Sequence, residues 1–226
     1  SRDWSSDVCS SDLPTLAEGL RASRAARRAL ATSGGSAAAK ADADFLLDIK
    51  EQQFADALVR ASGVAVDPLA DTETIVQGGS ATVTVRTFVP PGSGAAVSNA
   101  AVHVPQGWTT QAMGDAPEAP VGFGRRETPT TAVRVRVNAP ANAALTQPYY
   151  LKEPRTADTY QWAAGDPKGL PFDPPVLTAT VTLRVAGIDV DVTRPVQFRF
   201  ADSVRGELRR DVNVVPAVAV GLDTRL

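Results

Sequence analysis

His103 is the only histidine and Cys9 the only cysteine of this chain, so metal and nucleophile chemistry has few side chains to draw on. A zinc or other transition-metal centre needs several His, Cys or carboxylate ligands converging on one point. No H-x-x-H, H-x-x-x-H or C-x-x-C spacing occurs. A Ser–His–acid triad would have to use His103, yet no Gly-x-Ser-x-Gly turn is present to offer the nucleophile. Gly78-Gly79-Ser80 leads into an alternating apolar run and not into a helix, so it reads as a turn and not as a phosphate loop. Asp189 and Asp191 share one face of a strand pattern, and solvent-side alternation accounts for them without catalysis. Paired carboxylates of the glycosidase kind meet in space and leave no sequence spacing to read. The expectation is therefore no catalytic residue, no metal ligand and no cofactor within these residues.

The feature richest in binding chemistry is the stretch 138–175. It holds Tyr149, Tyr150, Arg155, Tyr160, Trp162 and Phe172, including every tyrosine of the chain. Exposed rings with Asp, Arg and Gln nearby suit the stacking and hydrogen bonding of a sugar. The same rings would serve equally as anchors, because a loop longer than roughly 12–15 residues needs packing to be ordered. These six residues are the candidate ligand or interdomain contacts, and both readings stay open.

The elements around them change period along the chain. From Pro14 to about Ser62 the pattern is helical. Thr15 to Glu18 has capping-box spacing, and Leu16, Leu20, Arg24, Arg27 and Leu30 follow one stripe. Ser33-Gly34-Gly35 ends this helix, and a second runs from about Ala37 to Ala61 with Phe45, Leu46, Ile49, Phe54 and Leu58 on one apolar face. An αα-hairpin of this kind is marginal alone and must pack on something larger. After Gly63 the period becomes two. Alternating runs lie at 81–86, 101–104, 132–137, 177–185, 188–192 and 196–200, with a last strand over 207–215. Ala186-Gly187 reads as a hairpin turn. The predicted fold is mainly β: an antiparallel immunoglobulin/fibronectin type III-like β-sandwich, residues 63–216, preceded by the helical hairpin, residues 14–62. The aromatic stretch 138–175 is an insertion in the sandwich, and residues 217–226 are expected to open a following module.

With 23 basic against 25 acidic side chains and a net charge of −2, the chain has no electrostatic reason to bind nucleic acid or an anionic membrane. Its apolar runs fall short of the roughly 20 residues a bilayer span needs. Residues 3–13, Asp-Trp-Ser-Ser-Asp-Val-Cys-Ser-Ser-Asp-Leu, have neither helical nor strand period. Read back into codons, they resemble the end of a sequencing-library adapter. Residues 1–13 are accordingly expected to be an artefact outside the fold, which removes Cys9 from any redox argument.

Three stretches carry a family resemblance. Lys50-Glu51-Gln52-Gln53-Phe54-Ala55-Asp56-Ala57-Leu58 resembles the linker after the catalytic domain of bacterial PIG-L-type (LmbE-like) deacetylases. The run Pro148-Tyr149-Tyr150-Leu151, Pro154-Arg155, Asp158 to Trp162 and Pro171-Phe172-Asp173-Pro174-Pro175 is similar to a later part of the same proteins. So is the close, Arg194 to Asp202 with Gly206 to Arg210 and Val214-Val215-Pro216. The family's zinc signature, Ala-His-Pro-Asp-Asp with a downstream His-x-x-His, does not occur, so no zinc ligand or general base is carried over. The resemblance implies a non-catalytic accessory segment of a zinc-dependent de-N-acetylase acting on N-acetylated sugars. Its partner would be a catalytic domain upstream, with zinc bound there, and carbohydrate is a further possible partner. A secreted or periplasmic location is implied by the family alone. The alternatives are an independent carbohydrate-binding module and a structural spacer of a multidomain secreted protein.

Overall fold

A computed structural model describes residues 12–114, 129–162, 165, 170, 172–218 and 220. They form two packed helices followed by mostly antiparallel sheets, an α+β arrangement with more strand than helix and no closed barrel. Helix α1 spans Leu13–Thr32 and α2 spans Ala37–Ser62. Pro14 lies in the first turn of α1, where its missing N–H leaves no bond unmade. The capping box expected at Thr15 is corrected: Asp12 is the N-cap, and Thr15 already lies inside the first turn. The expected lower limit of the fold shifts as well. Leu13, at 7% exposure, is buried in the core, because the helix starts one residue upstream and turns that side chain inward. Residues 1–11, Cys9 among them, lie outside the described residues.

Ser33 closes α1, its N–H bonding Leu30 O at 3.2 Å, and Ser36 caps α2 by accepting from Ala39 N at 3.2 Å. Helix α2 ends on Gly63 at φ +68, a left-handed residue that glycine adopts at little cost. Between the helices, Gly19 meets Phe54 so closely that an added Cβ would fall 2.3 Å from the ring. Ala17, Leu20, Leu58 and Val59 are buried at this end of the pair.

The far end is held differently, and here the predicted apolar face of α2 is corrected. Phe45 and Leu46 are 65% and 62% exposed. What joins the helices there is a hub of ion pairs on Arg27, which reaches Asp44 at 2.9 Å, Asp48 at 2.6 Å and Glu51 at 2.9 Å, while Arg24 reaches Glu51 at 2.9 Å. The stripe on α1 runs from leucines into arginines, so the complementary face of α2 is acidic rather than apolar. Hydrogen bonding from Arg27 holds the Asp44 carboxyl below its ordinary range. Burial pushes Glu51 up, but bonds from Arg24 and Arg27 outweigh it and leave that carboxyl lowered too.

The strands are β1 (Ala65–Ala70), β2 (Thr74–Val76), β3 (Ser80–Phe88), β4 (Ala95–His103), β5 (Thr109–Met113), β6 (Thr131–Asn138), β7 (Thr178–Val185), β8 (Ile188–Pro195), β9 (Gln197–Asp202), β10 (Gly206–Asp211) and β11 (Asn213–Val215). One sheet has the order β10-β9-β1-β3-β6-β5, a second β4-β7-β8, and β11 pairs with β2. All-antiparallel pairing is corrected at two places, since β1–β9 and β2–β11 run parallel. The single last strand is corrected as well. It breaks at the buried Val212, so that β10 stays with β9 while β11 crosses to β2. Pro68 inside β1 and the short polar β5 hid these elements from a pattern search.

Alternation on β3 buries Ala81, Val83 and Val85, and alternation on β7 buries Ala179, Val181, Leu183 and Val185. Both sets, with the helix residues named above, belong to one hydrophobic core. The hairpin therefore finds its larger partner in the chain's own sheets. Arg21 Nη2 donates to Ala186 O at 2.9 Å and Arg24 Nη1 to Asp189 O at 2.9 Å, tying α1 to the β7–β8 hairpin. Ala186 and Gly187, at φ +47 and +75, form the turn that this hairpin requires.

Candidate functional site

The aromatic stretch is stitched down before its rings begin. Ala139 N donates to Gly79 O at 2.9 Å, Gly78 N to Pro140 O at 3.1 Å, and Gln77 Nε2 to Ala143 O at 2.7 Å. Thr146 then pairs with β11: its N–H donates to Val214 O at 3.0 Å, and its Oγ1 accepts from Val214 N at 2.9 Å. Pro148 starts the 3-10 turn Tyr149–Leu151, closed by Leu151 N to Pro148 O at 2.9 Å. This turn splays consecutive rings, leaving Tyr149 and Tyr150 edge to face at 5.5 Å and 88°. Thr156 and Thr159 exchange N–H···O bonds of 3.1 and 3.0 Å around Ala157, whose φ is +50. That reversal brings Trp162 onto Tyr149, stacked at 5.1 Å and 24°, and Tyr160 onto Tyr150 at 5.3 Å.

Four of the six candidate residues thus form one ring cluster. Phe172, at 81% exposure, lines the same cavity as Tyr149 and Tyr150. Arg155 stands exposed beside the Thr156–Thr159 reversal and joins neither the ring contacts nor the cavity lining. The cavity measures about 410 Å³, and Asp173, Asp211 and Asn213 supply its polar edge. A second hollow of about 220 Å³, beside Trp108 and Lys152, shares Thr146, Gln147 and Asp173 with it. Volumes of this order suit small ligands.

Asp173 sits between the two hollows. Its Oδ2 lies 3.3 Å from Lys152 Nζ, but Oδ1 is buried without a hydrogen-bond partner among the described residues. Such an atom costs on the order of 1–3 kcal/mol, more when charged. Asp211 Oδ1 accepts from Gln197 Nε2 at 2.9 Å, a neutral donor.

Residue chemistry elsewhere is accounted for by the sheets. His103 Nε2 lies 2.9 Å from Thr180 Oγ1 on the exposed side of β4 and β7. Asp189 takes two 2.9 Å bonds from Arg184, which hold its carboxyl below the usual range, and Asp191 accepts from Thr182 at 2.6 Å. On the outer face of the six-stranded sheet, Arg209, Arg199 and Arg86 surround Asp67 at 2.6, 3.4 and 4.0 Å. Among the described residues no group of three or more His, Cys, Asp or Glu is placed to hold a metal ion. No helix among them is long and apolar enough to cross a membrane.

Sequence reasoning missed Asp173, Asp211, Asn213 and Thr146. Asp173 stands inside the Pro-Phe-Asp-Pro-Pro run, where its carboxylate beside an aromatic ring was the available signal. Asp211 and Asn213 carried none: Asp211 ends β10 beside β9, Asn213 opens β11 beside β2, and the aromatic stretch reaches them through the Thr146–Val214 bonds. Residues 163, 164, 166–169 and 171 of the aromatic stretch lie outside the described residues. So do 219 and 221–226 of the segment expected to open a further module, in which Val218 and Val220 are exposed. Compared with known proteins, the chain matches no family model, no curated protein and no solved structure.

Proposed function

We propose that this chain is a non-catalytic accessory segment of a PIG-L-type zinc-dependent de-N-acetylase. In this reading its strands form an immunoglobulin/fibronectin type III-like sandwich, and the ring cluster at Tyr149 makes contact with carbohydrate. The observation that carries it is that Tyr150, Tyr160 and Trp162 stay 39%, 45% and 44% exposed while held in mutual ring contact beside a cavity. Rings serving only as anchors would bury their faces. Rings ordered but left open are what a sugar's C–H face stacks on. The sandwich reading is supported by the common core of the six- and three-stranded sheets. Zinc and the general base belong to a catalytic domain upstream, and this chain supplies none of their ligands. The exposed Phe45 and Leu46 at the hairpin tip offer an apolar contact for that domain, and the family's secreted or periplasmic setting comes with the assignment.

The test is calorimetric titration of the chain with N-acetylglucosamine oligosaccharides, repeated on Tyr149→Ala and Trp162→Ala. Binding is expected in the parent and weakened about tenfold or more in each variant, the scale of one lost stacking ring. No binding by the parent, or equal binding by correctly folded variants, sinks the carbohydrate contact. An independent binding module rests on the same rings. It is separated by joining the chain to an active deacetylase domain: Trp162→Ala lowers turnover if the segment is accessory and leaves it unchanged if the module acts alone.

A further inference from the structure

We infer that the ring cluster holds two separate sugar subsites, so that its ligand is a chain of linked sugar units and not a single sugar. The inference rests on the carbohydrate reading above and adds the length of what is bound. The cavity of about 410 Å³ is walled by Tyr149, Tyr150 and Phe172, with Pro148 and Pro174 beside them. Trp162 and Tyr160 do not line it. Each packs instead on one of the two wall tyrosines, Trp162 stacked on Tyr149 at 5.1 Å and 24°, Tyr160 against Tyr150 at 5.3 Å and 68°.

Two stacked rings close their inner faces on each other, yet Trp162 keeps 44% of its surface exposed and Tyr160 45%. The surface they offer therefore lies beyond the tyrosine wall, as a shelf next to the cavity. One pyranose ring stacks on one aromatic ring at a time, so a single sugar cannot fill the cavity and cover the shelf together. A glycosidic link carries a second unit from one to the other, and that second contact is then intramolecular. The two subsites are also held by different ties. The Leu151–Pro148 bond of the 3-10 turn and the Thr146–Val214 bonds place the wall, whereas the Thr156–Thr159 exchange places the shelf. None of these wall bonds involves an atom of Trp162.

The experiment titrates the intact chain with N-acetylglucosamine and with its β-1,4-linked dimer, trimer and tetramer. Affinity is expected to rise about tenfold from the single sugar to the trimer, the scale of one added stacking ring. A trimer offers its units in turn to one subsite, so a gain of about threefold or less is statistical and any larger gain reports a second contact. In Trp162→Ala the trimer-to-single-sugar ratio is expected to fall to about threefold or less, and in Trp162→Phe to stay near the parent ratio. A change of stability alone does not move this ratio, and the parent series decides by itself if circular dichroism shows Trp162→Ala misfolded. A single sugar that binds within about threefold of the trimer in the parent overturns the two subsites and leaves the carbohydrate reading standing. A parent-like ratio in folded Trp162→Ala overturns the shelf, and no binding at any chain length overturns both readings.

Discussion

Replacing Gly19 by alanine sets two effects of opposite sign against each other. In an open helix interior alanine is favoured over glycine by about 1 kcal/mol. Here the new Cβ would lie 2.3 Å from Phe54 Cε1, 2.7 Å from Cζ and 2.8 Å from Cδ1. Carbon atoms settle about 3.5–4.0 Å apart, so the ring has to retreat by more than about 1 Å. Phe54 packs against the core, and forcing one more methyl into a packed interior costs about 1–3 kcal/mol. Taking about 2 kcal/mol for the clash, Gly19→Ala is expected to lose about 1 kcal/mol net, a fall in Tm of about 2–4 °C for a chain of this size. Urea unfolding followed by circular dichroism measures it. Phe54→Leu in the same chain frees space, so the double variant should lose less than the two single losses added, by about 1 kcal/mol. A Gly19→Ala protein about 1 kcal/mol more stable than the parent would refute the close helix contact.

Asp44 and Glu51 both have folded pKa values lowered from ordinary values of 3.8 and 4.5, so what they contribute is present above those values and lost as pH falls through the lowered ones. Parent stability should therefore decline below about pH 4.5, and Arg27→Met should flatten part of that decline; equal slopes in denaturation midpoint against pH would contradict the ion-pair hub. Leu183 has no exposed surface, and Leu183→Ala should cost about 2–5 kcal/mol in urea unfolding, a loss under about 1 kcal/mol arguing against the shared core.

Much of the fold was legible because the period of the sequence changes at Gly63. The helix limits near residues 32, 37 and 62 follow from serine caps and a left-handed glycine, all local signals. Strands β3, β6, β7 and β8 follow from clean alternation. What stayed hidden was non-local. The acidic face of α2 has meaning only opposite Arg24 and Arg27, so Phe45 and Leu46 passed for core residues. Pro68 disguised β1, and the break at Val212 separates two strands that one alternating run seemed to join. The candidate site divides in the same way. Its rings announce themselves by composition, and the Thr156–Thr159 reversal that assembles them is short. Asp211 and Asn213 line the cavity through non-local pairings, β10 with β9, β11 with β2 and Thr146 with Val214, which no pattern along one strand encodes.

The central claim is that the ring cluster at Tyr149 contacts carbohydrate. The most direct measurement is a ¹⁵N correlation spectrum of the chain titrated with N-acetylglucosamine oligosaccharide, the Trp162 indole N–H being identified by its loss in Trp162→Phe. The account predicts saturable shifts of that indole and of the Tyr149 and Tyr150 amides, with the exposed side of β4 around His103 unmoved. Shifts that bypass these three residues, or none at ligand concentrations up to the solubility limit, would contradict it.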